Sequence, residues 1–496
     1  MTTNAPTIWI LVPLGFGILL LFVRNARAIS ALGGTLAVLL ALLAQFIPIE
    51  TALRFGEFSV KIDSSISILG RALLISPAEG SLLALIYAGS SLWFFGSLAA
   101  ERSARVAPVG LMITALMVAA LAVQPFLYAA LFIEMAILIS IPMLSSLYAT
   151  PGKGIVRFLI YQTLAMPFIL LAGWLLAGVE ASPGDLALAA QSASVLGLGF
   201  AFLLAIFPLY NWIPMLMEES PPFTVGFLLW ILPTITILFG AGFLDRYSWI
   251  RSSPQLISAL QFAGLLMVTT GGLWAAFQRH FGRIMAYASI AETGFSILAL
   301  SVDSRYGIPI LFLLIPARAL TLALWSLALN IIKENAETMR FSSTRGMLRN
   351  TPLAATGIVL ATLSTGAFPL LASFPPRLAL WENISRASSA SAIWMGLGMA
   401  GFLVSAVRSL AVFAMADEFA SWKPRENLPQ MIMLGLGMIG LFILGLFPQT
   451  VQVFLAQLPL MFEHLGRWQS FYRFSQSSLC ALPKDIGTIC GSNTVS

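Results

Sequence analysis

Charge is what this sequence has least of. Only 10% of its 496 residues are Asp, Glu, Lys or Arg, against about a quarter in a soluble domain. A chain this poor in charge would expose large apolar patches to water and aggregate, which excludes an ordinary soluble globular protein. Cysteine is nearly absent: Cys480 and Cys490 both stand close to the C-terminal end, so a cysteine-ligated iron–sulfur or haem site within the apolar body is excluded. The only histidines, His280 and His464, are far apart in sequence, which argues against a histidine-rich haem or metal centre. No cofactor is expected. Basic residues give a net charge of +6, but they are scattered singly, with no stripe of the kind that follows a nucleic-acid backbone.

What is present is apolar length. The chain is 58% hydrophobic, with 35 Phe and 12 Trp, residues suited to lipid-facing helices and interfacial rings. Reading with the ~20 residues that a membrane-spanning helix needs gives about fourteen segments, the first from Ile8 and the last from Gln430. The expected fold is therefore all-α and polytopic, with lipid as its solvent and no nucleic-acid partner. The first segment lacks a basic n-region and a small-residue cleavage site, so it is expected to be retained. Residues 49–78 carry several charges and suit either a surface helix or short strands. Short basic loops, such as those holding Arg24 and Arg27, Arg279 and Arg283, and Lys423 and Arg425, place both termini outside.

Ionisable residues within apolar segments are costly and so are functional candidates. Glu134, in LYAALFIEMAILISIPML, has no charged neighbour within a helical turn. Its partner must come from another helix, a water file or a neighbouring subunit, and it either carries protons or serves as a hydrogen-bonding acid between helices. In FPLYNWIPMLMEESPP, Pro208 and Pro214 remove amide donors and Pro208 is expected to break the helix; Glu218, at the membrane edge, either faces inward or is solvated. The run TGAFPLLASFPPRLALWE repeats the pattern with Pro369, Pro375 and Pro376, followed by Arg377. Glu292, Arg318 and Arg408 complete the set of buried charges. Pro208 and Pro369 each fall in the fourth segment of a five-segment block. This is the symmetry of an inverted-repeat transporter, with breaks in segments 7 and 12. The expected division is 1–105 for the first three helices and an outer loop, 106–241 and 257–414 for the two inverted repeats, and 415–496 for the last helix and a polar tail.

At these residues the sequence resembles the antiporter-like membrane subunits of respiratory complex I, the family shared with the large subunits of multisubunit sodium/proton antiporters. The resemblance spans roughly residues 80–450 and is most specific in two stretches. FPLYNWIPMLMEESPP is similar to P-F-H-x-W-L-P-D-A-x-E-x-x-P, and FGRIMAYASIAETGFSILAL is similar to L-K-R-L-L-A-Y-S-S-I-x-H-x-G. The resemblance implies fourteen core helices with two inverted five-helix repeats, other membrane subunits as partners, and a bacterial cell membrane as location. It also implies that Glu134 is the acid that governs proton movement. The family's cations are largely replaced: its lysine of the seventh helix falls at Leu203 and that of the eighth at Pro233. Glu292 replaces the motif histidine, the histidine and lysine of the eleventh helix fall at Pro316 and Leu320, and the twelfth-helix lysine becomes Arg377. The implied function is that of a divergent membrane-arm subunit of a redox-driven proton pump, carrying no redox group itself. The alternative is a transport-inactive structural paralogue, or a subunit of a cation/proton antiporter or related ion-driven assembly.

Overall fold

The computed structural model describes residues 2–55, 58–68, 70–100, 105–145, 152–182, 184–415 and 422–465. Cys480, Cys490 and the polar tail lie outside the described residues.

The chain enters through a short strand, β1 (Thr2–Asn4), and the helices α1 (Val12–Leu20) and α2 (Ala26–Phe46). The charged stretch that follows forms strands: β2 (Ala52–Phe55), β3 (Phe58–Asp63), β4 (Ser65–Ile68) and β5 (Arg71–Leu74). Then come α3 (Gly80–Gly96), α4 (Val106–Ala122), the two-residue strand β6 (Val123–Gln124), α5 (Ala129–Leu144) and α6 (Lys153–Ala181). The middle holds α7 (Leu186–Leu203), α8 (Trp212–Glu219), α9 (Pro222–Arg246), the single turn α10 (Ser248–Arg251), α11 (Pro254–Phe277), α12 (Phe281–Ser301) and α13 (Ser304–Asn335). The chain continues through α14 (Pro352–Thr365), α15 (Phe374–Ala387), α16 (Ser389–Ala414), α17 (Leu428–Leu446) and α18 (Gln449–Leu455).

Among the described residues, eleven helical segments are long and apolar enough to cross a membrane, and three shorter apolar ones, Thr7–Leu20, Val106–Ala122 and Pro352–Thr365, accompany them. Their starts are written in local chemistry. Asn25, Asp185 and Ser388 accept backbone N–H bonds at the first turns of α2, α7 and α16, and proline opens α9, α11 and α14, where its missing N–H costs nothing. The strands check the count of crossings. β1 pairs with β3, and β5 with β6, so the segments before α1, after α2 and after α4 share one face, as an even number of crossings between them requires.

Helices α4, α9, α12 and α13 are the most buried of the bundle, and α7 and α17 are among the least covered. α11 and α16 approach closely enough that a Cβ at Gly272 or Gly401 would strike the opposite backbone, the small-residue contact by which membrane helices pack. Gly396, Gly398 and Gly401 have the spacing of a nucleotide-binding fingerprint. They lie inside a helix, with no strand before them, and Gly398 and Gly401 are close-packing positions against α11.

Two interruptions shape the core. The helical run stops at Leu203 and resumes, after a 3-10 turn, at Trp212; a second stops at Thr365 and resumes at Phe374. Just past each stop an alanine, Ala205 (φ 50°) or Ala367 (φ 56°), takes the left-handed conformation that commonly ends a helix. Pro208 and Pro369 lie within these interruptions. Pro375 and Pro376 depart from the expectation of helix breaks: they occupy the first turn of α15 and restart a helix, since no amide donor is needed there.

Candidate ion pathway through the bundle core

Helix ends leave carbonyls without intrahelical donors, and both interruptions place such ends inside the protein. At the first, Gln162 of α6 donates from Nε2 to the carbonyls of Phe202 (3.5 Å) and Leu203 (3.3 Å). At the second, Arg377 of α15 donates to the carbonyl of Ser364 (3.0 Å) and to that of Thr365. A cation at the negative end of a helix dipole is favourably placed.

Arg377 also forms an ion pair with Glu292 of α12, both side chains being almost completely buried (0% and 2% exposed). The guanidinium lies over the Phe295 ring, 4.3 Å from its centroid. Removing two charges from water costs several kcal/mol for each ion, which is offset only by close pairing and further hydrogen bonds. Here the helix-end carbonyls and the aromatic face supply them.

Arg318 of α13 is the second fully buried cation. Its Nη2 donates to the Leu229 carbonyl at 2.7 Å and to Thr293 Oγ1 at 3.1 Å. The Leu229 carbonyl is free for a reason visible in the sequence. Its helical donor would be the N–H of residue 233, which is proline and has none. Nε and Nη1 of Arg318 have no acceptor, and the residue lines a chamber of about 10 Å³ together with Gln162, Leu203, Pro233 and Thr293 among others, the size of a single water position.

Glu134 of α5 is half-buried and accepts a hydrogen bond from Thr163 of α6 at 2.8 Å. Its second oxygen is buried without a partner. Around it stand Ala130, Ile133, Gln162, Met166, Ile169 and Leu203, with no room for water among them. Leu203 occupies the place where the resemblance implies a lysine, so no cation answers this acid among the described residues. Gln162 faces both the Glu134 site and the Arg318 chamber. The groups thus form one row: Glu134 and Thr163, Gln162, Arg318, Thr293, then Glu292 with Arg377.

Two expected members stand apart. Glu218 is partly exposed and paired with Arg283, Oε1 to Nε at 2.6 Å. Its neighbour Glu219 accepts the N–H of Gly154 at the start of α6. Arg408 is half-buried, donates to the Ala276 carbonyl in the last turn of α11 and lies over Phe341. It serves as a helix C-cap, outside the row. Sequence reasoning passed over Gln162, Thr163 and Thr293. The available signal was polar pairs, Gln162–Thr163 and Glu292–Thr293, in mid-helix where lipid would oppose them. His280 accepts the Arg283 N–H as the N-cap of α12; burial, with the positive charges of Arg283, Arg340 and Lys333, lowers its pKa, while Glu218 opposes the shift.

Apolar helices around a row of buried charges and amides define a polytopic membrane protein with a polar core. Residues 185–404 match the family model described as NADH:quinone oxidoreductase/Mrp antiporter, TM. The chain is 27% identical over 312 residues to NADH-quinone oxidoreductase subunit N of Dehalococcoides mccartyi, covering 56% of this chain and 60% of that protein. It is 26% identical over 328 residues to NADH-quinone oxidoreductase subunit 14 of Thermus thermophilus, covering 63% and 72%. The fold superposes on a chain of respiratory complex I from Thermus thermophilus with a TM-score of 0.73, at 21% identity and covering 93% of this chain and 99% of that one. It also superposes on a chain of the Mrp complex from Dietzia sp. with a TM-score of 0.77, at 14% identity and covering 95% and 98%. Over these residues the chain is similar to the antiporter-like membrane subunits of NADH:quinone oxidoreductases and Mrp antiporters.

Proposed function

We propose that this chain is a membrane-arm subunit of a complex I-like, redox-driven proton pump in a bacterial inner membrane, bound to other membrane subunits and carrying no redox group itself. The observation that carries this reading is the row from Glu134 to the Glu292–Arg377 pair, because buried charge at that depth is costly unless it is used. Within this reading, α7 with α8 and α14 with α15 are two broken transmembrane helices, in inverted repeats at 106–241 and 257–414. The segments 1–105 and 415–496 flank them. The matching alanine turns and the donors facing both helix ends support that division.

Arginine stays protonated in a protein, so Arg318 and Arg377 act as fixed cations and the two carboxylates are the groups that exchange protons. A nearby guanidinium favours the ionised carboxylate, while desolvation favours the neutral acid. Arg377 holds Glu292 and the Ser364 and Thr365 carbonyls at the same time. Glu134, with one oxygen unpartnered, exchanges protons at the other end.

One observation favours a second reading, a transport-inactive structural subunit: Leu203 stands beside Glu134 and leaves no room for water there. Proton movement per assembled complex, with the Glu134 carboxylate removed, distinguishes the two readings.

A further inference from the structure

A second cavity, of about 210 Å³, lies between α7, α9, α11 and α12. It is larger than the ~150 Å³ apolar cavity known to stay dry and take up benzene, and its lining is hydrocarbon almost throughout. On α9 the lining runs from Thr236 to Leu244, about 12 Å along a helix and close to the depth of one leaflet of a ~30 Å hydrocarbon core. Its side wall reaches the lipid-facing surface of the bundle, where Gly197 of α7 and Ala259 of α11 are exposed. Its deep end is Leu204, which also lines the Arg318 chamber. Its upper rim is Leu244, Ile250 and Leu256, beside the loop that joins α9 to α11.

A cation stands on that rim. Arg251 follows the lining residue Ile250 and holds the carbonyls of Leu244 (3.3 Å) and Asp245 (2.9 Å) through Nη1. It has no carboxylate partner among the described residues. The side chain of Asp245 is already engaged with the N–H groups of Glu463, His464 and Leu465. The guanidinium is therefore held half-buried on this rim, without an ion-pair partner among the described residues.

An apolar slot one leaflet deep, open sideways to lipid and rimmed by an unpaired arginine, has the complementarity of one kind of molecule. We propose that it binds an anionic phospholipid, with one acyl chain between α7 and α11 and the phosphate on Arg251. The chain end rests against Leu204 and closes the lateral approach to the Arg318 chamber.

The test is native mass spectrometry of the full chain after reconstitution with phosphatidylglycerol and phosphatidylethanolamine in equal amounts, followed by graded delipidation. One phosphatidylglycerol should remain per chain in the wild type and be lost in Ala263→Phe, which fills the slot. If Ala263→Phe folds poorly, Gly197→Phe serves instead, since a Cβ there meets nothing within 4 Å. Arg251→Gln should lower the preference for phosphatidylglycerol about tenfold, the worth of one charge-assisted hydrogen bond. Equal retention in a folded, slot-filled variant would overturn the proposal. So would an unchanged headgroup preference in Arg251→Gln, or a retained isoprenoid quinone in place of phospholipid.

Discussion

Replacing Arg318 by methionine withdraws the donor that satisfies the Leu229 carbonyl, and the outcome should depend on residue 233. With Pro233 in place, no backbone N–H can take over, and an orphaned buried carbonyl costs about 1–3 kcal/mol. With Pro233→Ala, the restored N–H lies one helical turn from that carbonyl and replaces the arginine. The absolute effect of Arg318→Met also includes relief of guanidinium desolvation and loss of the field on Glu292, but these contributions are common to both backgrounds. The difference between backgrounds isolates the carbonyl: Arg318→Met should be less destabilising by about 1–3 kcal/mol in the Pro233→Ala background. Unfolding in mixed micelles of the wild type, both single variants and the double variant gives the cycle. Additive effects within about 0.5 kcal/mol would refute the pairing of proline and arginine.

Arg377→Ala strands Glu292 and the Thr365 carbonyl, and should lower stability by about 3–5 kcal/mol. Adding Glu292→Gln should restore part of the loss, measured as the yield of folded protein from membranes. His280 is held neutral by burial, so its folded pKa lies below its unfolded one. The stability it contributes is complete above about pH 6.5 and falls as the pH drops through and below that value. His280→Asn keeps an N-cap acceptor without a titrating ring, and should flatten the fall in unfolding temperature between about pH 7.5 and 5.5.

The helices were legible because their signals are local. α4, α14 and α16 begin at Val106, Pro352 and Ser389, each at the onset of an apolar run or at a proline. The charged stretch 49–78, open between helix and strands, became strands because it pairs with distant residues at β1 and β6. Pro375 and Pro376 open α15, and a proline reads alike in sequence whether it ends or begins a helix. The partnerships within the core were not legible. Glu292 and Arg377 are 85 residues apart, and periodicity does not say which helix face meets which. Pro233 read as the loss of a cation; in the fold it is the source of the carbonyl that Arg318 holds. Arg408 read as a buried charge because the sequence does not show that α11 ends beside it.

The central claim is that the carboxylates of the row move protons, and Glu134→Gln tests it most directly. Glutamine keeps the shape of the side chain and the hydrogen bond with Thr163, but cannot exchange a proton. Pumping into sealed vesicles, normalised to the amount of assembled complex, should fall strongly in this variant while assembly is unchanged. Undiminished pumping per complex would contradict the account and leave the chain a structural member of its assembly.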